Sequence, residues 1–573
     1  MNDIHALYAL WCEKATADPD LQPELAAVKG DEEAILDRFY KNLEFGTAGL
    51  RGVIGAGTNR MNVYTVNQAT QGLADYLNAE FDAPSVAIAY DSRIKSDVFA
   101  RSAASVLAAN GVRVYLYPEL VPTPMLSFAV RQLHCSSGII LTASHNPSKY
   151  NGYKCYDPNG YQMTDEAAAK TYGYIQKVDM FSGAKTVDFD EAVESGRISY
   201  IERDLFEAFY TAVLHAQVNP GAAKDAGLSV IYTPLNGTGN KPVREVLRRI
   251  GVQDVTVVPE QEYPDGNFPT CPYPNPEIRQ AFERAIALAE GRPADLLLAT
   301  DPDCDRVGIA VRDGGEYKLM TGNEVGAMLT EYVLSSLQAQ GRLPHEPVVV
   351  KTIVTTRLVA EIAAHYGAAT ADLLTGFKYI GELVTKLEAA GEADRFVLGM
   401  EESYGYLRGT HARDKDAVVA SMLICEMAAY YKAKGMSLYE FMQSLYRRYG
   451  MYRNSVLNFG FEGASGMEKM RQMMETLRRE PPKAIAGEAV GSISDYEARE
   501  TTDLVSGAKT PIDLPRSNVL SYRLTGADGV IVRPSGTEPK IKVYITSVAE
   551  NAAAADEKAA RIGADMERIL GIH

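Results

Sequence analysis

The chain has 573 residues, with 58 Lys and Arg against 74 Asp and Glu, which gives a formal net charge of -16. Hydrophobic residues make up 46% and charged residues 23%; this balance is typical of a soluble globular protein and excludes wholesale disorder, a collagen-like fibre and a small disulfide scaffold. The length predicts about four domains. Because the net charge is strongly negative, no nucleic-acid or membrane partner is expected.

The cysteines and the first residues indicate where the protein works. Six cysteines are scattered along the chain without Cys-x-x-Cys or zinc-type spacing, which predicts free or buried thiols in a reducing compartment. No basic stretch precedes an apolar one near the start of the sequence, so no signal peptide is expected. The longest apolar candidate, 418–431, is interrupted by Glu426 and is too short to span a membrane. We therefore expect a cytoplasmic protein.

Apolar runs that end in polar loops alternate with helical stretches, which is the pattern of an α/β protein. Four runs are continuous enough to be buried strands of parallel sheets: 86–90, 138–141, 296–299 and 396–399. Ligands of open α/β sheets bind beyond the carboxyl ends of the strands. The polar loops that follow these runs are therefore predicted to carry the chemistry.

Breaker residues divide this pattern into segments. A helical stripe over 201–213 stops at Asn219-Pro220-Gly221. Asp313-Gly314-Gly315 predicts a hairpin turn, and Thr321 with Glu324 predicts a capping box that opens the next helix. A charged helix ends before Pro481-Pro482, and the strands and closing helix beyond it predict an α+β segment. The predicted domain bounds are 1–217, 218–318, 319–482 and 483–573.

Three carboxylates alternate directly after the third apolar run, at Asp301, Asp303 and Asp305. Such close carboxylates repel one another, and a hard divalent cation such as Mg²⁺ offsets that cost. An EF-hand loop is excluded, because Arg306 and Arg312 stand where it requires Gly and Glu. A solvated acidic turn is the alternative; Arg306 directly after the carboxylates suits a phosphate held beside a metal.

Ser144 lies in the loop Thr142-Ala143-Ser144-His145-Asn146-Pro147, where the Asn-Pro pair forces a turn that presents the hydroxyl. A serine nucleophile needs a base or a suitable charge environment, and the hydrolase pattern Gly-x-Ser-x-Gly is absent. The Ser-His pair alone favours an ordinary hydrogen-bonded turn. Lys154 is a candidate for proton transfer or phosphate binding close by in the sequence.

Three further loops have compositions that suit anions or sugars. Residues 533–540 gather a guanidinium, two hydroxyls and free backbone N–H groups, which suits a phosphate, although a charged surface hairpin has the same composition. Residues 46–52 form a Gly-rich loop with Arg51, for which a plain turn is the simpler interpretation. Residues 401–403 offer paired carboxylates for sugar hydroxyls, or acids that favour a helix N-terminus. No Walker A sequence is present.

Taken in order, five segments resemble the motifs of the α-D-phosphohexomutase family over about residues 40–545: GTAGLRG from Gly46, TASHNP from Thr142, DPDCDR from Asp301, EESYG from Glu401 and RPSGTEP from Arg533. EFGTAGLRG and TGFKYIG, from Thr375 to Gly381, are similar to the type-2 phosphoglucomutase branch. The resemblance implies three related mixed-sheet α/β domains and a smaller C-terminal α+β domain around a central cleft. Cys304 departs from the pattern, because many members carry Gly or Ala there, but all three carboxylates are kept.

The resemblance also implies an activity and a set of roles. The enzyme would interconvert glucose 1-phosphate and glucose 6-phosphate through a phosphoserine, with glucose 1,6-bisphosphate as intermediate and activator. Ser144 would be phosphorylated. The metal site would be Mg²⁺ on Ser144, Asp301, Asp303 and Asp305. The other catalytic residues would be Arg51, His145, Lys154 and Arg306. Substrate would bind to Lys378, Glu401, Ser403, Arg533, Ser535, Gly536 and Thr537.

Several alternatives stay open at this point. Mannose phosphate and pentose phosphate are substrates of the same type of reaction. A phosphatase with an Asp nucleophile in the Asp-x-Asp loop would release inorganic phosphate and leave Ser144 unmodified. A non-catalytic sugar-phosphate binding protein would keep the loop at Arg533 but would not need three carboxylates beside a presented serine. Oligomeric state is not predicted.

Overall fold

The computed structural model describes residues 4–46, 49–461, 464–535 and 540–572. It divides into two compact units: the first unit is Met1–Gly322 with Phe377–Leu438, and the second unit is Asn323–Gly376 with Tyr439–His573. Mixed sheets with helices make up the fold, as the predicted α/β class requires. The four predicted domain bounds stay a prediction.

The first unit opens with three helices that pack around Trp11, which is 1% exposed. A six-stranded mixed sheet follows, in the order β1-β5-β4-β2-β3-β6, with β2 parallel to both β3 and β4. The elements are α1 (Ile4–Lys14), α2 (Leu21–Ala27), α3 (Glu32–Phe39), β1 (Gly49–Val53), α4 (Val63–Glu80), β2 (Ser85–Tyr90), α5 (Ser96–Ala109), β3 (Arg113–Leu116), α6 (Thr123–Gln132), β4 (Ser137–Leu141), β5 (Tyr150–Tyr156), α7 (Asp165–Ile175), α8 (Phe189–Glu194), β6 (Ile198–Tyr200) and α9 (Arg203–His215).

A second mixed sheet of the first unit has the order β11-β10-β9-β7-β8. Its elements are β7 (Ser229–Thr233), α10 (Asn240–Ile250), β8 (Asp254–Val257), α11 (Pro259–Glu262), a 3-10 turn (Arg279–Phe282), α12 (Glu283–Gly291), β9 (Leu296–Thr300), β10 (Val307–Asp313) and β11 (Glu316–Met320). The predicted hairpin is confirmed: Asp313 pairs with Glu316 across Gly314 and Gly315, whose φ angles of 58° and 107° suit a two-residue turn.

The middle of the chain contributes to both units. Its elements are α13 (Gly322–Ala339), β12 (Val348–Thr352), α14 (Leu358–His365), β13 (Ala369–Leu373), α15 (Phe377–Ala389), a 3-10 turn (Ala393–Arg395), β14 (Phe396–Glu401), β15 (Gly405–Leu407), α16 (Ala417–Lys432) and α17 (Leu438–Tyr449). In the second unit β12 and β13 pair in parallel, and in the first unit β14 and β15 form an antiparallel pair. The apolar stretch 418–431 is the buried helix α16. None of the helices in the described ranges is long and apolar enough to cross a membrane.

The last part of the second unit is an antiparallel sheet with two long helices, so the predicted α+β segment is confirmed. The strand order is β16-β23-β22-β21-β18-β19-β20, with β17 paired to β18. The elements are β16 (Met451–Gly460), α18 (Ala464–Arg479), β17 (Ala484–Ile485), β18 (Glu488–Asp495), β19 (Glu500–Asp503), β20 (Lys509–Pro511), β21 (Leu520–Leu524), β22 (Gly529–Pro534), β23 (Lys540–Ala549) and α19 (Ala552–Leu570).

The four predicted buried strands are observed as β2, β4, β9 and β14, and nearly every residue in them is buried. Continuous apolar runs form these strands because both faces of each sheet are covered. Their carboxyl ends deliver the polar loops from which the site is built. All six cysteines are free thiols, as predicted: five are buried and Cys12 is half-buried.

Candidate active site

The serine loop (142–147) and the metal loop (301–306) meet in the first unit. Ser144 follows β4 and Asp301 follows β9. The Ser144 hydroxyl donates a hydrogen bond to Asp301 Oδ2 at 2.9 Å. Both side chains are buried, at 4% and 0% exposure. The fold therefore brings a hydroxyl and a carboxylate into contact although they lie 157 residues apart.

Arg93 holds the backbone of the serine loop in place. Its guanidinium donates to the carbonyl oxygens of Pro147 and Tyr150, each at 3.0 Å, and also to those of Ser144 and Asn146. The φ angle of Ser144 is 51°, in the left-handed region that costs a non-glycine residue about 1–2 kcal/mol. Four carbonyls fixed by one buried guanidinium offset this strain and aim the hydroxyl at the metal loop.

The metal loop is organised by its own first carboxylate. Asp301 Oδ1 accepts hydrogen bonds from the backbone N–H groups of Asp305 at 3.1 Å and Arg306 at 3.0 Å. Carboxylate oxygens of Asp301, Asp303 and Asp305 all lie within 4.8 Å of one another, and the three residues are buried. Cys304 turns the loop with a φ angle of 51°. The strand end and this internal bonding together concentrate three acidic side chains at one point.

Two lysines and the burial itself set the charge of the cluster. Burial raises the pKa of Asp301, and the neighbouring Asp303 raises it further. Burial alone would also raise the pKa of Asp303, but the Lys154 ammonium, 3.1 Å from Asp303 Oδ2, lowers it. Burial and Asp303 raise the pKa of Asp305, opposed by Lys415 at 3.2 Å. Unless a further positive charge binds, the cluster therefore favours the protonated form of some of its carboxyl groups.

The donor set of the cluster fits a hard divalent cation. Asp303 Oδ1 and Asp305 Oδ1 are buried and have no hydrogen-bond partner among the described residues. Carboxylate oxygens are the ligands that Mg²⁺ prefers, and a cation would satisfy these two atoms and relieve the mutual repulsion. Asp301, Asp303 and Asp305 are therefore able to hold a metal ion, with the Ser144 oxygen next to them.

Cationic and imidazole side chains surround the serine. His145 Nδ1 lies 3.2 Å from Ser144 Oγ. Burial, with the charges of Arg306 and Arg51, lowers the pKa of His145 well below its ordinary value, so the ring is neutral. Arg306 forms an ion pair with Glu277 at 2.7 Å. Arg51 is exposed on β1, in register with Gly152 of β5. Positive charge therefore acts on the serine loop from Arg306 of the metal loop and from Arg51 of strand β1.

The predicted sugar-binding loop lies beside the metal loop. Glu401 is the last residue of β14 and is 8% exposed, and Ser403 follows it in a half-buried position. Arg306 forms a backbone bridge with Gly405, so the two loops run alongside each other. Lys378, at the start of α15, forms an ion pair with Asp165 at 2.7 Å. Glu401 and Ser403 are thus close in the fold to the metal loop.

The predicted phosphate-binding loop belongs to the second unit. Arg533 lies in β22, in register with Lys542 of β23. The backbone N–H of Ser535 donates to the carbonyl of Lys540 at 2.7 Å. Gly536 and Thr537 lie outside the described residues. The role of this loop stays a prediction.

Sequence reasoning missed four side chains that support the site. They are Arg93, Thr123, Asp414 and Lys415. Thr123 Oγ1 donates to Asp303 Oδ2 at 3.0 Å, and Lys415 bridges Asp305 and Asp414. Asp91-Ser92-Arg93 follows the first of the four buried strands and is therefore among the loops predicted to carry the chemistry, but Arg93 was not singled out. Asp414-Lys415-Asp416 was available as an alternating charged set. Neither pattern indicates which distant loop its side chains contact.

Comparison with known proteins agrees with this architecture. Models of the phosphoglucomutase/phosphomannomutase alpha/beta/alpha domains I, II and III match residues 42–181, 207–315 and 321–449. A phosphoglucomutase of Staphylococcus haemolyticus is 36% identical over 516 residues, which cover 90% of this chain and 92% of the relative. A phosphoglucomutase of Staphylococcus saprophyticus is 35% identical over 544 residues, covering 95% and 97%.

Solved structures share the fold at lower identity. Parafusin, a phosphoglucomutase from Paramecium, superposes with a TM-score of 0.68 at 17% identity, covering 93% of this chain and 96% of that one. A phosphoglucomutase/phosphomannomutase family protein from Burkholderia thailandensis gives 0.66 at 19%, covering 92% and 96%. From the domain matches and the relatives above 30% identity, we conclude that the chain belongs to the phosphoglucomutase/phosphomannomutase family of α-D-phosphohexomutases and is an enzyme of the isomerase class.

Proposed function

We propose that the protein interconverts glucose 1-phosphate and glucose 6-phosphate through a phosphoserine at Ser144, with glucose 1,6-bisphosphate as intermediate and activator. The observation that carries the proposal is the 2.9 Å contact between the Ser144 hydroxyl and Asp301 inside the acidic cluster. The relatives named as phosphoglucomutases support glucose as the sugar.

The reaction has two phosphoryl transfers: the Ser144 phosphoryl group goes to the sugar, and the sugar's other phosphoryl group then goes to Ser144. The bond between Ser144 Oγ and phosphorus breaks as the free hydroxyl of the hexose monophosphate bonds to phosphorus and loses its proton. When bound by the three aspartates, Mg²⁺ supplies charge stabilisation to the transferring phosphoryl oxygens. Arg306 and Arg51 are proposed to hold the same charge. Lys154 beside Asp303 is the proposed proton-transfer group; it accepts the proton only as a neutral amine, so its ammonium form must first lose a proton. In the second half, the bisphosphate turns and returns its other phosphate to Ser144.

His145 has a separate proposed role. Because its ring is buried and neutral, it can share a hydrogen bond with the Ser144 oxygen without adding a charge. That bond fixes the hydroxyl after the phosphoryl group has left, while Asp301 accepts the hydrogen bond that the hydroxyl donates. The serine thus stays oriented for the returning phosphate.

The remaining residues are proposed to orient the substrate. Glu401 and Ser403 bind sugar hydroxyls, and Lys378 assists them. Arg533 and Ser535, with Gly536 and Thr537, bind the phosphate that is not transferred. Because that phosphate is bound in the ground state and the transition state alike, Arg533→Ala is expected to raise KM about tenfold or more and to change kcat less than about threefold. An equal fall in kcat at unchanged KM would contradict this orienting role.

The choice of sugar is tested by comparing substrates. In a coupled assay, kcat/KM for glucose 1-phosphate is expected to exceed that for mannose 1-phosphate and ribose 1-phosphate by about tenfold or more. A preference for ribose 1-phosphate or mannose 1-phosphate would overturn the assignment of glucose, while leaving the phosphoserine route intact.

The phosphoserine route is tested separately. Intact-protein mass spectrometry is expected to find one phosphate group on the chain, and peptide mapping to place it on Ser144. Incubation with excess glucose 6-phosphate is expected to move it to the sugar without release of inorganic phosphate. Stoichiometric release of inorganic phosphate, with Ser144 never modified, would instead favour a phosphatase with an aspartate nucleophile.

A further inference from the structure

A cavity, which we call the side cavity, lies in the first unit next to the residues that support the serine and metal loops. Its volume is about 590 Å³, within the range of about 300–1,000 Å³ that holds small-molecule ligands. It is bounded by Tyr90 at the end of β2, by residues 118–122 after β3, and by the first turn of α10. None of the residues proposed above for catalysis, metal binding or substrate binding lines it.

The wall of the side cavity is largely apolar and aromatic. Phe206 and Tyr210 of α9 contribute two rings, and Tyr90 and Tyr263 contribute two more. Phe206 and Tyr210 are 5% and 9% exposed, so they are fixed by packing, whereas Tyr263 is 71% exposed. Phe206 and Tyr210 therefore shape the wall, and Arg203 already lies over the Phe206 ring, whereas Tyr263 is the largely exposed ring. A largely apolar wall suits an aromatic or flat apolar body.

The rim of the side cavity carries two exposed cations, Arg203 and Lys241. Glu119 forms ion pairs with both Arg203, whose Nη1 lies 2.8 Å from Glu119 Oε1, and Lys241. The two cations are 74% and 76% exposed, so they can turn to a ligand without a large desolvation cost. Over the whole lining the acidic residues equal the basic residues in number: Asp91, Asp97 and Glu119 against Arg93, Arg203 and Lys241. At the Arg203–Lys241 end the two exposed cations share one carboxylate, Glu119, so this is the end at which an anionic group of a ligand would bind.

The wall of the side cavity also contains a buried hydroxyl group, that of Ser92. The hydroxyl oxygen of Ser92, which lines the cavity, is buried and has no hydrogen-bond partner within the described ranges. A buried hydroxyl without a partner costs free energy unless a ligand or water satisfies it. The cavity thus offers an apolar surface and a cationic rim, and an unpartnered hydroxyl is buried in its wall.

The side cavity touches the supports of both catalytic loops. Arg93 lines it and is also the residue that fixes the serine loop. Thr238 lines it and donates from its N–H and its hydroxyl to the carbonyl of Pro302, at 2.8 and 2.9 Å. Gly237 packs so closely that a Cβ there would lie 2.4 Å from Pro302 Cα. A ligand in the cavity would therefore contact Arg93 and Thr238, the residues that support the serine loop and the metal loop.

We propose that the side cavity is an effector site for a small molecule with an aromatic or flat apolar body and one anionic group, and that its occupancy slows phosphoryl transfer by displacing Arg93 and Thr238. Binding itself does not depend on the function proposed above. The effect on turnover rests on that function, so the two are measured separately.

Binding is tested with 2-naphthoate as the probe, titrated into the full chain by isothermal calorimetry. Saturable binding of one probe per chain is expected, with affinity at least about tenfold weaker for the uncharged 2-naphthamide. The double variant Arg203→Ala/Lys241→Ala, on the exposed rim, is expected to weaken 2-naphthoate by a similar factor. Leu120→Trp is expected to fill the cavity and abolish binding.

A matched control and a second readout keep the test decisive. Arg292→Ala removes an exposed arginine outside the cavity, paired to Asp254, and is expected to leave binding unchanged. Thermal melting checks that Leu120→Trp folds; if it does not, the rim double variant decides alone. Absent saturable binding, or equal affinity for the charged and uncharged probes, would overturn the assigned ligand class.

The coupling is tested by turnover of sugar phosphate at saturating probe. A fall in kcat of about threefold or more is expected, with KM changed less than about twofold, and no effect in the rim double variant relative to its own rate. A rise in KM alone would place the probe in the sugar-phosphate site and overturn the proposal. Binding with unchanged kcat would overturn the coupling. If no sugar phosphate is turned over at all, the proposed function fails while the calorimetry still decides the site.

Discussion

The serine loop and the metal loop are both held in a fixed conformation, but by opposite means. Both follow buried strands, and both turn through one non-glycine residue in the left-handed region, Ser144 and Cys304, each with a φ angle of 51°. The metal loop is held from within, because Asp301 Oδ1 bonds the N–H groups four and five residues later. The serine loop is held from outside by Arg93, which lies 51 residues before Ser144.

This difference decides whether the reacting groups and the residues that support them can be altered separately. The metal loop carries its ligands and its own support in one short segment, so a substitution there alters both at once. In the serine loop the reacting hydroxyl and its support are on different residues, and each can be removed alone. Variants of Ser144, Asp303, Arg93 and Cys304 therefore test how far the two designs differ.

The largest effect is expected from Ser144→Ala. Loss of the proposed phosphoryl acceptor should lower kcat roughly 10⁴-fold or more in the coupled assay with added bisphosphate. Intact-protein mass spectrometry should find no phosphate on the variant. Ser195→Ala, at a surface helix end, is the matched control and should keep full activity. Full activity of the Ser144 variant would refute the covalent role.

Next in size is the effect of Asp303→Asn in the metal loop. The change removes one carboxylate from the cluster and leaves the Lys154 ammonium without its buried partner, 3.1 Å away. We expect kcat to fall about 10²–10³-fold and the Mg²⁺ concentration for half-maximal activity to rise. Excess chelator should abolish the activity of the unmodified enzyme, and Mg²⁺ should restore that activity better than other divalent ions.

An unchanged Mg²⁺ requirement in the Asp303 variant would contradict the metal assignment. Asp254→Asn, at the surface pair with Arg292, serves as the control and should leave both kcat and the Mg²⁺ titration unaltered. Without metal, the melting temperature of Asp303→Asn should fall if the Lys154 ammonium finds no other partner. It should stay close to that of the unmodified enzyme if Lys154 does find one.

Arg93→Met tests the external support of the serine loop. The loop would lose four carbonyl partners and the buried Asp91 would lose its ion pair, so unfolding free energy should fall by about 3–5 kcal/mol. A misplaced hydroxyl should lower kcat about 10–10²-fold. The Mg²⁺ titration should stay close to that of the unmodified enzyme, because the metal loop is held by Asp301 instead. A large shift in the Mg²⁺ titration would show that the two loops are not independently supported.

How much the sequence could predict follows the same division. The four buried strands, the hairpin at Gly314-Gly315 and the acidic cluster at 301–305 were all readable, because each depends on residues close in the chain. The contact between Ser144 and Asp301 required the family resemblance, since no local pattern relates residues 157 apart. The role of Arg93 in holding the serine loop could not be predicted, because its four partners are backbone carbonyls, and every residue type has one.

The charge state of the site was equally out of reach of the sequence. Three adjacent aspartates predict repulsion, but not which one keeps its charge. That depends on Lys154 reaching Asp303 from β5 and on Lys415 reaching Asp305 from the loop before α16. Both lysines come from distant segments of the chain, and only the fold assigns each to its own carboxylate.

The smallest effect is expected from Cys304→Gly, compared with Cys304→Ala. Both variants lose the buried sulfur, which is 0% exposed, but only Gly is free of the left-handed strain that a Cβ creates at a φ angle of 51°. The Gly variant should therefore be more stable than the Ala variant by about 1 kcal/mol in denaturant unfolding. Because Asp301 still bonds the two N–H groups of the loop, both variants should keep kcat and the Mg²⁺ titration within about threefold. Equal stability of the two variants would show that the turn is unstrained, and a tenfold loss of Mg²⁺ affinity in both would show that the sulfur, rather than the carboxylate, maintains the loop.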